Sequence, residues 1–318
     1  ARIAFEAASE MDFDAAVKED ALFNYAKLTY ELSYSPFNET IRAFDKYITL
    51  YPNSERNTAA YQYLVDVYMV TRNYRDAISS IEKIKVRNPD INKAYQRVTY
   101  YRGLELMANQ AYEEAISLFD QSLKNTYLNS ITAGARYWRS EALYRTGDYN
   151  SAIMGFNQFL QSPGASSLEE YNEAYYNLGY AYFKLENYSQ AGTVFKKYLN
   201  AMQGRRNQKI ADVYNRLGDT WFVARNYTEA VYNYQQAFNL KLYDADYALY
   251  QIAFCSGLQG NQATKVSLLR NLTSSYPQSP YVANAYFETG RSLEREGKYN
   301  EARREYQVIL DKYKESTF

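Results

Sequence analysis

The chain has 318 residues, and its 36 Lys plus Arg balance 36 Asp plus Glu, so no global field draws it to nucleic acid or an anionic membrane. One Cys and no His exclude an internal disulfide framework and any multi-Cys zinc site, and remove the commonest general base and metal ligand. Mean hydropathy is −0.58, and no apolar run approaches the roughly 18 residues of a membrane-spanning helix.

Length alone sets a prior of about two domains. Six Pro and 13 Gly are few for a loop-rich β protein, whereas 37 Tyr and 15 Phe exceed what a core usually needs. The chain opens on ARIAFEAASE, with no Met and no signal-peptide pattern. That opening reads as a cropped or processed piece and says nothing about compartment. Ala1, Phe5 and Ala8 lie on one face of a helix, which is expected to be the second half of a preceding repeat over residues 1–14.

From there one pattern recurs: a ring, a small residue three positions on, and a large apolar residue four after that, all on one helical face. The three slots hold Phe37, Thr40 and Phe44, then Tyr74, Ala77 and Ile81, then Tyr112, Ala115 and Phe119. TGDYNSAIMGFNQFL supplies Tyr149, Ala152 and Phe156, and LENYSQAGTVF supplies Tyr188, Ala191 and Phe195. Tyr227, Ala230 and Tyr234 follow, then a degenerate copy with Gln262, Lys265 and Leu269, then Tyr299, Ala302 and Tyr306. Successive first slots are 37, 38, 37, 39, 39, 35 and 37 residues apart.

Each copy is preceded by a second stripe, such as Tyr175, Leu178, Gly179 and Tyr182, or Tyr214, Leu217, Gly218 and Trp221. Its small position is filled by Gly103, Ser140, Gly179, Gly218, Ala253 and Gly290, which lets two helices approach closely. The spacing therefore predicts a helix, a short turn and a second helix per unit. Neither helix buries its stripe alone, so the units must stack.

These residues resemble the tetratricopeptide (TPR) repeat, whose signature runs aromatic, Leu, Gly, aromatic, then Tyr, Ala, Phe, Ala and Pro over 34 residues. Gly179, Tyr188, Ala191 and Phe195 match it, as do Gly218, Tyr227, Ala230 and Ala237. Pro52, Pro89 and Pro277 each fall twelve residues after the second slot, where the family's helix-ending proline sits. Departures are longer spacers, a two-residue insertion near Ser35 and the weak seventh copy. The resemblance implies an all-α, right-handed α-solenoid superhelix of stacked TPR helix-turn-helix units. Eight units are expected over about 19–54, 58–91, 96–129, 133–166, 172–205, 211–244, 246–279 and 283–316, forming one continuous solenoid. No polar capping helix follows the last, so the chain reads as a fragment of a longer protein whose uncapped ends could self-associate.

In such a solenoid a second stripe on each first helix would line a concave groove. It comprises Tyr100, Leu104 and Met107, then Tyr137, Glu141 and Tyr144, then Tyr176, Tyr180 and Phe183, then Asn215, Asp219 and Phe222, then Tyr250 and Phe254. Tyrosine gives large contact area at low rotamer cost and keeps a hydroxyl for hydrogen bonding, which suits a peptide or helix laid in a groove. The alternative is that these rings merely pack against the next unit's first helix. Some TPR domains grip a terminal carboxylate with a Lys–Asn pair on this stripe, but Gln62 and Asp66, Tyr100 and Leu104, Tyr137 and Glu141, and Tyr176 and Tyr180 stand there instead.

The remaining motifs carry little chemistry. Cys255 lies on an apolar helix with nothing basic beside it, as a buried structural thiol does. Glu113–Glu114 and Glu169–Glu170 suit helix starts, where carboxylates favour the macrodipole. NETI, NYSQ, NYTE and NLTS match the glycosylation triplet, and GRRNQK is a short basic turn. With no P-loop and no paired CxxC, neither catalytic residues, metal nor cofactor is expected.

The leading expectation is a non-catalytic scaffold that binds another protein, as a peptide or helix, with no nucleic-acid or direct membrane role. A carbohydrate surface built from tyrosine platforms and a purely structural arm of a larger envelope assembly are the alternatives. Resemblance to TPR proteins of the Gram-negative envelope implies a periplasmic or outer-membrane-associated setting, with a cytoplasmic one still open.

Overall fold

The computed structural model describes residues 1–12, 14–32, 38–84 and 87–313; the first slot Phe37, the insertion near Ser35 and the end of the last expected unit lie outside these. Among the described residues there are seventeen α-helices, one 3-10 turn and no strand. None of these helices is long and apolar enough to cross a membrane. The chain divides into two compact units, Ala1–Tyr171 and Asn172–Phe318.

The first unit holds α1 (Arg2–Ser9), α2 (Ala15–Glu31), α3 (Asn38–Leu50), α4 (Asn57–Val70), α5 (Tyr74–Glu82), α6 (Pro89–Ala108), α7 (Tyr112–Leu123), α8 (Asn129–Arg145) and α9 (Tyr149–Leu160). Each helix packs on the next, and α2, α4, α6 and α8 also touch in series, so the pairs stack with their first helices side by side. The second unit holds most of α10 (Glu170–Lys184), then α11 (Tyr188–Ala201), α12 (Gln208–Val223), α13 (Tyr227–Leu240), α14 (Ala245–Leu258), α15 (Gln262–Ser275), α16 (Val282–Arg295) and α17 (Tyr299–Lys312). From α11 onward each helix packs on the next in the same way.

The first slot has a structural meaning that periodicity alone does not reveal. Tyr74, Tyr112, Tyr149, Tyr188, Tyr227, Gln262 and Tyr299 are each the first residue of their helix. Two residues earlier the backbone always turns left-handed, at Arg72, Gln110, Gly147, Glu186, Arg225, Gly260 and Gly297. The residue between them donates its N–H to a carbonyl five back, as Asn187 does to Tyr182 at 2.9 Å and Asn226 to Trp221 at 2.9 Å. This is the Schellman closure, which satisfies orphan carbonyls at the helix end. The same Asn then caps the next helix: the side chain of Asn187 accepts from the N–H of Gln190, and that of Asn226 from Glu229. One residue thus ends one helix and begins another.

In four of the pairs a glycine at the small position of the first helix faces the third-slot ring. A Cβ on Gly103 would come within 2.6 Å of the Phe119 ring, and one on Gly179 within 2.5 Å of Phe195. Gly218 and Gly290 meet Tyr234 and Tyr306 in the same manner. Phe119, Phe195 and Tyr234 are all fully buried, so these contacts anchor the core of their pairs.

Candidate functional site

Helix α12 presents Asp212, Asn215, Arg216 and Asp219 at i, i+3, i+4 and i+7, one charged stripe on a mostly buried face. Arg216 reaches Asp219 at 2.7 Å and Asp212 at 3.6 Å. Its guanidinium also lies 5.6 Å from the Phe183 ring centroid and 5.4 Å from that of Tyr247, within cation–π range of both. Burial opposes the charge on Arg216, but Asp219 and its neighbours outweigh it and hold the pKa above the ordinary value.

Four tyrosine hydroxyls converge on the two carboxylates. Tyr176 and Tyr180 donate to Asp212 at 2.9 and 2.5 Å, while Tyr234 and Tyr247 donate to Asp219, both at 2.6 Å. Burial lifts the pKa of Tyr176, Tyr180, Tyr234 and Tyr247, with the neighbouring carboxylates adding to it, so all four stay protonated donors. Burial also raises Asp219 above the usual carboxyl range, against the pull of Arg216 and the two phenols.

Around this network rings line α10, and others run from α12 through α14 to Tyr281 at the N-cap of α16. Tyr176 and Tyr180 lie 5.0 Å apart, Tyr180 and Phe183 6.4 Å. Phe222 sits 6.1 Å from Phe254, which stacks on Tyr250 at 6.3 Å, and Tyr250 stacks on Tyr281 at 5.3 Å. Tyr176, Tyr180, Phe183, Phe222, Tyr250 and Phe254 are all half-buried, in contrast to the sealed packing rings Phe195, Tyr198 and Tyr234.

Three further positions read from the sequence as groove lining are buried. Tyr137 is 5% exposed and wedged against Phe156 and Phe159 at 5.8 and 5.3 Å, which makes it a core ring. Asn215 is fully buried, its side-chain N–H directed at the carbonyl of Asp244 at 3.5 Å. Asp219 is buried as well and serves as an internal counter-ion. In the first unit Tyr100 lies over Gly134 of the next first helix, and Tyr144 pairs with Tyr149 at 5.4 Å. Both are half-buried, as the six rings of the second unit are.

Cys255 is buried, and burial, with Asp219 nearby, pushes its thiol up to about 12. Such a thiol holds almost no thiolate at neutral pH. The native chain is expected to resist iodoacetamide at pH 7.5 and to take up one adduct only after guanidinium unfolding, as read by intact-mass spectrometry.

The tetratricopeptide repeat family matches residues 100–167, 173–201, 247–279 and 284–316, together just over half of the chain. No curated protein matches it. Solved structures with a similar fold include MamA of Desulfovibrio magneticus RS-1, at 16% identity and a TM-score of 0.48 over 58% of this chain and 97% of that one. YrrB, described as a TPR protein with an unusual peptide-binding site, is similar at 21% identity and TM-score 0.47, over 61% and 91% of the two chains. PilF of Pseudomonas aeruginosa is similar at 16% identity and TM-score 0.46, over 72% and 96%.

Proposed function

The chain belongs to the tetratricopeptide repeat family of protein-interaction repeats, and on that premise we propose that it is a non-catalytic scaffold holding a segment of another protein on the first-helix face of its second unit. One observation carries this reading: six rings on that face stay half-open, while Phe195, Tyr198 and Tyr234 on the second helices are sealed. Tyr and Phe surfaces fixed by their neighbours offer contact area with little rotamer entropy left to lose, which favours a peptide or a helix laid across them. Beneath them the Asp212–Arg216–Asp219 network ties the phenol rings of α10, α13 and α14 to α12, so the surface is pre-organised.

Tyr250 and Phe254 test the proposal more cleanly than Tyr176 and Tyr180, whose hydroxyls hold a buried carboxylate. Peptides selected from a random display library against the native chain are expected to bind Tyr250→Ala/Phe254→Ala about tenfold or more weakly by fluorescence anisotropy, as loss of an aromatic anchor implies. Helicity by circular dichroism should be unchanged. Equal affinity for the double variant would move the binding face elsewhere.

A further inference from the structure

The seam between α11 and α12 departs from the repeat at one position. The residue after the second slot is β-branched in six copies, as Ile41, Ile78, Ile116, Ile153, Val231 and Val266, but it is Gly192 here. Gly192 lets Thr220 of α12 come close, since a Cβ there would stand 3.3 Å from its Oγ1. The branched side chain that six of the seven other copies carry is missing (the last has Arg303), and a cleft of about 320 Å³ opens beside it, walled by Tyr188, Thr193, Lys196, Trp221 and Val223. The Lys196 ammonium lies 4.9 Å from the Trp221 ring centroid. From Lys196 a second recess of about 340 Å³ follows the same seam toward Arg205, walled by Met202, Ile210 and Tyr214.

The two recesses share Lys196 and form one trough. Tyr214 and Trp221 stand seven residues apart on α12, about 10.5 Å along its axis and on one face. The charged residues lining the trough are Lys196 and Arg205, both cationic, in a chain whose charges balance as a whole. From Ser189 to Gln203 the seam runs about 21 Å, room for about six extended residues.

We propose that this trough is a second docking site, which takes a short acidic segment of a partner protein. An apolar side chain of that segment fills the cleft beside Gly192 and rests on Trp221, while its carboxylates meet Lys196 and Arg205. The site lies outside the half-open rings, so it stands or falls separately from the first-helix face.

The chain has two tryptophans, Trp138 and Trp221, so 5-fluorotryptophan labelling yields two ¹⁹F resonances, with Trp138 as internal reference. Titration with the probe hexapeptide acetyl-Glu-Asp-Leu-Glu-Asp-Glu-amide is expected to shift the Trp221 resonance saturably and leave Trp138 in place. A Lys-for-acid version of the probe should do nothing. Gly192→Val, which restores a branched side chain, should weaken the probe about tenfold, as loss of an anchor pocket does. Lys196→Gln changes an exposed side chain that the fold does not need and should weaken the probe about threefold while flattening its salt dependence. The proposal fails if Trp221 is unmoved by the acidic probe, or if affinity survives both substitutions. It fails equally if tetragalacturonate shifts Trp221 and the peptide does not, which would assign the trough to anionic glycans.

Discussion

Asp219→Ala is expected to destabilise the second unit by about 3–5 kcal/mol, the range for removing one partner of a buried ion pair. Three donors converge on this carboxylate: the Arg216 guanidinium at 2.7 Å and the phenols of Tyr234 and Tyr247 at 2.6 Å each. Tyr234 is fully buried, so its hydroxyl finds no water once the acceptor is gone. Arg216 would be left with Asp212 alone, 3.6 Å away and already engaged by Tyr176 and Tyr180. Two further substitutions separate charge from hydrogen bonding. Asp219→Asn keeps an acceptor for the phenols and removes only the counter-charge, so its loss should be smaller. Tyr234→Phe removes one neutral donor and should cost about 1 kcal/mol. Because repeats unfold in parts, the measurement is native-state hydrogen exchange over α12–α14 beside urea denaturation. An Asp219→Ala variant as protected there as the native chain would show that the network contributes no stability.

The fold was legible because stacking repeats the same constraint. Ring, small residue and large apolar residue at i, i+3 and i+7 must recur wherever a second helix packs on a first, and the Gly103, Gly179, Gly218 and Gly290 contacts show why the small position stays small. The turns were harder to read. Arg72, Gln110, Glu186 and Arg225 occupy the left-handed position that Gly147, Gly260 and Gly297 take elsewhere, so composition hides a shared backbone.

The site was only half visible. The periodic stripe names the half-open Tyr100, Tyr144, Tyr176, Tyr180, Phe183, Phe222, Tyr250 and Phe254, but offset counting cannot tell a half-open ring from a sealed one, and it names the buried Tyr137 with them. Asp212 and Arg216 were missed because charged residues on a helix are by default a solvated face. The signal was present as an acid, a base and an acid at i, i+4 and i+7, on the same helix as Leu217 and Trp221. That spacing puts all three charges on one side, and here that side is buried.

Lys265→Ala would restore the residue that six other copies carry in the second slot, yet it is expected to destabilise the α14–α16 region, again by about 3–5 kcal/mol. The reason lies five residues before the first slot, where Tyr144, Phe183 and Phe222 each pack a ring against the Tyr that opens the next helix, at 5.4, 5.2 and 5.8 Å. In the seventh copy both rings are gone. Gly257 replaces one and Gln262 the other, whose side-chain N–H donates to the Gly257 carbonyl at 3.0 Å. The stem of Lys265 fills the vacated space: a Cβ on Gly257 would lie 2.6 Å from its Cδ. Its ammonium emerges 5.6 Å from the Phe254 ring and 2.5 Å from Glu288, both ends of that pair being nearly buried. Alanine therefore removes the packing stem and the counter-charge together, leaving Glu288 only the half-exposed Arg291 at 2.9 Å. Lys265→Met keeps the stem and should isolate the charge. The double change Gly257→Phe/Lys265→Ala restores one of the two missing rings and should recover part of the packing loss, though not the counter-charge for Glu288. Urea midpoints of the three variants decide the matter: no difference between Lys265→Ala and the double variant would mean that Lys265 is not the replacement for the missing ring.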